Sequence, residues 1–312
     1  MSIKFIIKLF IISTFFFLFS CSGYFNMDNS DEAGGDLSLA LADGSGYLST
    51  DNYNEITPFL YRNPDNGKAY LFFASDRDGT YDIYYAEMNS EGKFSKPIKM
   101  DTNYINTSGD EFSPVVFKAM SGEFTYTYIS FVRRTPAAGS KVYNCQIDPL
   151  NFNSVGESSD IGFSASSISL LNKNDVGPSL LISDGNTYFR KYEWDSIYGS
   201  WNYAETTIDF DSSPIYGVDG FSFGMYDYEH SFIINVMVEN KYRLYGGYYC
   251  IEPLTNYLYP IKEYSSPYND KDPCIDLKTM KVYFASDRYG KGNYDLYRYN
   301  ILTFDKVMQL PK

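Results

Sequence analysis

The sequence predicts an all-β chain folded as a single β-propeller of four-stranded blades, five in number with room for a sixth. Three observations carry this. First, Tyr and Phe number 32 and 24 in 312 residues, and short alternating runs such as 124–131 (FTYTYISF) and 232–238 (FIINVMV) are separated by Gly, Asn, Asp and Pro. That is a pattern of strands and turns with no sustained helical period. Second, an acid stands three residues before a proline at Glu55/Pro58, Glu111/Pro114, Asp175/Pro178 and Asp270/Pro273, while a fifth copy keeps Asp219 and puts Ser222 in the proline place. The intervals of 56, 64, 44 and 51 residues suit blades of about four strands. Third, the stretch FASDRDGTYDIY, 73–84, returns as FASDRYGKGNYDLY, 284–297.

Residues 1–20 read as an export signal rather than as fold. Lys4 and Lys8 supply the charged start, and 9–19 is apolar apart from Ser13 and Thr14, too short to span a bilayer. The stretch closes on Leu18-Phe19-Ser20-Cys21, which resembles a bacterial lipobox, and the resemblance implies lipidation of Cys21. Residues 21–46 follow as a tether rich in Gly, Ser, Asn and Asp, unable to bury enough surface to order itself. The propeller is assigned to 47–312.

Blade one then reads as strands at 56–62, 69–77, 80–88 and 94–100, and blade five as strands at 271–277, 281–288, 293–300 and 304–310. A sixth blade would have to fit within 147–175, inside the longest interval. The duplicated stretch becomes the hairpin between second and third strands. Asp76 and Asp287 suit its turn, Gly79 and Gly290 suit positive φ, and Arg77 is expected to pair with Asp82 and Arg288 with Asp295.

The chain's net charge is −13, and −15 without residues 1–20. With no basic run, nucleic acid is excluded as a partner. One histidine and no CxxC spacing argue against zinc. Beyond Cys21 the thiols are Cys145, Cys250 and Cys274. Cys250 with Cys274 is one pairing an exported chain allows, though nothing fixes it.

Two motif matches are discounted. GFSFG, 220–224, has the spacing of a nucleophile elbow around Ser222, but strand-like residues follow where the elbow needs a helix. DRDGTYD, 76–82, has the look of a calcium loop, yet its twin replaces an acid with Tyr289 and too few oxygens remain.

The residues of blades one and five resemble the WD40-like repeats of TolB-type β-propellers. That resemblance implies a propeller used for protein interaction. With the lipobox, and with Ser22 after it resembling an outer-membrane sorting signal, the expectation is a lipid-anchored envelope lipoprotein of the outer membrane, a non-catalytic scaffold for an envelope protein partner, with no cofactor. Glu55, Glu111, Asp175, Asp219 and Asp270 are expected at the channel mouth. There they either accept structural hydrogen bonds or gather as a site for a cation such as calcium or for a basic ligand. The alternative to a scaffold is a carbohydrate-binding or glycoside-hydrolase or lyase propeller that uses those carboxylates, with tyrosines such as Tyr81, Tyr104 and Tyr294 stacking on sugar.

Overall fold

The computed structural model describes residues 48–50, 52–173, 177–183, 188–209, 221–226, 229–238, 240–250, 255–260, 268–276, 278–279, 281–288 and 292–300. Among them there is no helix, and none therefore long and apolar enough to cross a membrane. Among the described residues nineteen strands form five antiparallel sheets. Blade 1 is β1 (Glu55–Arg62), β2 (Ala69–Ser75), β3 (Asp82–Met88) and β4 (Ile98–Lys99). Blade 2 is β5 (Asp110–Ser121), β6 (Phe124–Thr135), β7 (Gly139–Ile147) and β8 (Ser159–Ser164). Blade 3 is β9 (Ser167–Lys173), β10 (Gly177–Ser183), β11 (Tyr188–Asp195) and β12 (Ser200–Asp209). Blade 4 is β13 (Phe221–Tyr226), β14 (Glu229–Val238), β15 (Lys241–Cys250) and β16 (Thr255–Pro260). Blade 5 contributes β17 (Asp270–Asp276), β18 (Lys281–Ser286) and β19 (Asp295–Asn300).

The first strand of each sheet touches the first strands of its two neighbours, so that β1, β5, β9, β13 and β17 form a closed ring. The fold is the β-propeller that the repeat predicts. The stretch 147–175 holds no sixth sheet, because it supplies β8 at the rim of blade 2 and β9 at the hub of blade 3.

Blades 1 and 2 are packed on both faces, which explains why a second strand such as β2 reads as an unbroken apolar run rather than as alternation. In β2, Leu71 and Phe73 enter the core shared with blade 5, while Tyr70 and Phe72 enter the core shared with blade 2. All four are buried. Burying one such aromatic stabilises by about 2–3 kcal/mol relative to exposure. The seam between blades 2 and 3 is filled by Phe117, Tyr128, Trp194 and Trp201. Trp194 and Trp201 also find acceptors for their indole N–H, at Met120 O and Ser130 Oγ.

The ring closes through seam contacts between blades 5 and 1. Glu55 N–H donates to Tyr294 O at 2.7 Å, and Leu296 N–H donates to Ser49 Oγ at 2.9 Å. Arg62 spans the seam with two hydrogen bonds to Asp276, at 3.1 and 2.5 Å. Buried Cys274 is a free thiol whose sulfur accepts from Leu60 N–H, so the Cys250 pairing considered above does not form. The side chain of Cys250 lies outside the described residues.

Candidate functional site at the channel mouth

The duplicated hairpin is a staple. Asp76 takes both the backbone N–H and the side-chain amide of Asn54, each at 2.7 Å, and Asp287 does the same for Asn269. Asn54 in turn accepts from Tyr294 N–H of the neighbouring blade at 3.0 Å, and Asn269 accepts from Tyr242 N–H at 3.1 Å. Blade 2 repeats the arrangement with Asp110, which accepts from Tyr81 N–H. Gly79 closes the blade 1 turn at a φ of 108°, donating to Asp76 O.

The arginines go elsewhere than expected. Arg77 reaches Glu55 at 3.0 Å, not Asp82, and also donates to Ser75 Oγ and Leu48 O. Arg288 meets Asp270 at 2.9 Å rather than Asp295. The physical reason is burial: Glu55 and Asp270 have no exposed side-chain surface, so their charge most needs a counter-ion. Asp82, itself buried, is served by Lys99 at 2.7 Å, and Asp295 opens β19. In blade 2, Arg133 meets Glu111 at 2.7 Å.

Three of the five acids at the repeat positions are therefore enclosed in their own blades. Glu55 also accepts from Thr50 N–H and Ser75 Oγ, and Glu111 accepts from Thr107 N–H and Oγ1. Burial pushes Glu55 up to about 7, outweighing Arg77 and these hydrogen bonds, which favour the ionised form. Burial likewise raises Glu111. Among the described residues no group of three His, Cys, Asp or Glu side chains is placed to hold a metal. Asp175, Asp219, Gly290 and Cys21 lie outside the described residues.

The residues that do line the channel are the ones just after the acids. In β1, β5 and β17 the pairing slips at a bulge, and Thr57, Ser113 and Asp272 occupy left-handed backbone there, with φ of 51°, 54° and 54°. Each precedes a proline. A residue other than glycine in this conformation carries strain of about 1–2 kcal/mol, repeated here three times. Its gain is a hydrogen-bonded girdle. Asp272 N–H donates to Asn235 Oδ1, Thr57 N–H to Asp272 Oδ2, Ser113 N–H to Thr57 Oγ1 and Ile168 N–H to Ser113 Oγ. The cavity inside, lined also by Ser167 and Ser169, measures about 30 Å³. That admits a water or two and not a sugar ring, so a saccharide would meet Asp272 from the mouth.

Asp272 is the sole carboxylate among the described lining residues. The negative charge of Asp272 acts on both Tyr81 and Tyr294, which burial raises, Tyr81 to about 12. Tyr242, the blade 4 counterpart, acts on Tyr294 as well. Asp76 and Asp110 act on Tyr81 too, and Asp287 acts on Tyr294, so several carboxylates surround these tyrosines, and Asp272 is the one on the channel lining. Asp272 stands outside the repeat that marks the blades in sequence, which is the acid three places before proline. The residue immediately before proline reads Thr57, Ser113, Gly177 and Asp272 across the copies, and that contrast was the available signal.

No family model matches the chain, and no curated protein matches it. Among solved structures it is similar to a GH43_1 enzyme from Xanthomonas citri complexed with xylotriose, with a TM-score of 0.57 and 9% identity over 79% of this chain and 87% of that one. It is also similar to an endo-arabinase from Bacteroides thetaiotaomicron, with a TM-score of 0.56 and 12% identity over 81% and 96%. A GH43 endo-arabinanase from Bacillus licheniformis matches with a TM-score of 0.55 and 13% identity over 80% and 93%. At these identities the likeness is one of fold. The matches correct the TolB-type assignment and, with it, the reading of a non-catalytic scaffold. The Ser-Asp-Arg hairpin that suggested TolB is a staple between strands and blades, and the geometry of blade closure alone accounts for it.

Proposed function

We propose that the chain is a glycoside hydrolase acting on pentose-containing saccharides, with Asp272 as the carboxylate that serves as general base. The observation that carries this reading is the placement of Asp272 on the channel lining, with Lys271 bridging it to the ring of Tyr294, in a fold whose solved examples include arabinanases and a xylotriose complex. In the reaction, Asp272 takes a proton from water as that water's oxygen attacks the anomeric carbon, and a carboxylic acid gives a proton to the departing glycosidic oxygen.

For the acid role we nominate Asp219. Blades 1 and 5 neutralise their acid with the arginine of Ser-Asp-Arg, whereas the strand register of blade 4 puts Val236, Met237 and Val238 at those places. Blade 4 carries its arginine on β15 instead, where Arg243 pairs opposite Val236. The N-terminal pattern supports export and lipid anchoring at Cys21, which metabolic palmitate labelling of wild type and Cys21→Ala would test.

The activity test is hydrolysis of aryl α-L-arabinofuranosides and β-D-xylosides and of arabinan and xylan. Asp272→Asn and Asp219→Asn are each expected to lower kcat by about 10²–10⁴-fold without loss of fold. Full activity in Asp272→Asn would refute the assignment.

A further inference from the structure

Blade 5 differs from blades 1 and 2 at one more position of the bulge. Where β1 has Ile56 and β5 has Phe112, β17 has Lys271. Ile56 packs in the apolar seam between blades 5 and 1, and Phe112 packs against the neighbouring cores. An apolar residue therefore suits this position, and lysine there needs a reason. Its ammonium lies 3.7 Å from Asp272 Oδ2 and 4.3 Å from the centre of the Tyr294 ring, with the side chain only 16% exposed. Successive residues of a strand normally point to opposite faces. The left-handed turn at Asp272 is what brings these two side chains together.

We infer that Lys271 is a positioning residue for Asp272: its charge, steadied by the face of Tyr294, keeps the carboxylate ionised and turned to the mouth. The inference rests on the reading of Asp272 as general base. Lys271 is a cation 3.7 Å from the Asp272 carboxylate. Thr57 N–H and the Asn235 amide are neutral partners of Asp272, and Tyr81 and Tyr294 are neutral phenols. Of the nearby charges, Asp110 is matched by Arg134, Asp270 by Arg288, and Asp76 and Asp287 are spent on Asn54 and Asn269. An opposite charge within about 4–6 Å favours ionisation of a carboxylate by one unit or more.

The test compares pH–rate profiles of wild type, Lys271→Met and Lys271→Arg on an aryl pentoside, with melting temperature measured alongside. Lys271→Met is expected to fold and to move the acid limb of kcat/KM upward by about one pH unit, a roughly tenfold loss at pH below the limb, while Lys271→Arg restores the wild-type limb. Coincident limbs in wild type and Lys271→Met would overturn the inference while leaving the function intact, as would a lowered melting temperature with an unmoved limb. Absence of turnover by wild type on every pentoside would overturn the function and this inference together.

Discussion

Blades 1 and 5 are the same device with one substituted part. Both carry an asparagine held by the aspartate of Ser-Asp-Arg, an acid held by its arginine, and a left-handed bulge before proline. At the bulge, blade 1 has Ile56-Thr57 and blade 5 has Lys271-Asp272. The difference teaches that what repeats in this chain is architecture, and that chemistry is to be sought where a copy departs from the repeat. Thr57 serves the girdle alone, whereas Asp272 serves the girdle and also puts a carboxylate on the channel lining.

The staple can be broken directly. Arg77→Met leaves Glu55 buried without its counter-ion, and at pH 8 chemical denaturation should show a loss of about 4 kcal/mol. At pH 5 the loss should be smaller, because Glu55 is then largely protonated. A pH-independent loss would mean that packing of Arg77 on Phe73 and Tyr84 outweighs its charge.

The titration of Glu55 gives the next largest effect. Its folded value of about 7 lies above the ordinary 4.5, so between these pH values the folded chain holds a proton that the unfolded chain has released. Its contribution to stability is thus full below about pH 4.5, falls as pH rises, and levels off above about pH 7. Glu55→Gln lacks this proton, and the stability difference between wild type and variant should change by about 3 kcal/mol across the window. A difference that stays flat from pH 4.5 to 8 would show that Arg77 keeps Glu55 ionised throughout.

Thr57→Gly sharpens the comparison between bulges. It removes the acceptor for Ser113 N–H, at about 1 kcal/mol, and relieves left-handed strain of similar size. Stability should stay within about 1 kcal/mol of wild type, and pentoside hydrolysis should persist. The smallest effect belongs to Arg134→Gln, whose ion pair with Asp110 has the arginine 53% exposed. A change of less than about 1 kcal/mol is expected, and it should vanish in high salt.

The fold was legible because a propeller repeats its turns and its double-sided apolar strands, and sequence shows both. FASDR announced the blades, and β2 announced burial on both faces. Blade 3 was misread because its hub strand, with Ser167, Ile168 and Ser169 at the lining, has neither the acid nor the proline, while Asp175 and Pro178 imitate them one turn later. The arginine partners were misjudged because a hairpin suggests pairing across itself, and only the burial of Glu55 and Asp270 shows where the charge is needed. Asp272 needed the bulge geometry, since alternation along an ordinary strand does not place Lys271, Asp272 and the channel together.

The central claim is that the carboxylate of Asp272 works on sugar while its counterparts hold the ring. The direct measurement is the rate of aryl pentoside hydrolysis by wild type and Asp272→Asn, with xylotriose binding followed by calorimetry in both. The account predicts turnover by wild type, a fall of at least about a hundredfold in the variant, and xylotriose affinity retained within tenfold. Equal rates in the two proteins, or neither turnover nor xylotriose binding by wild type, would contradict it.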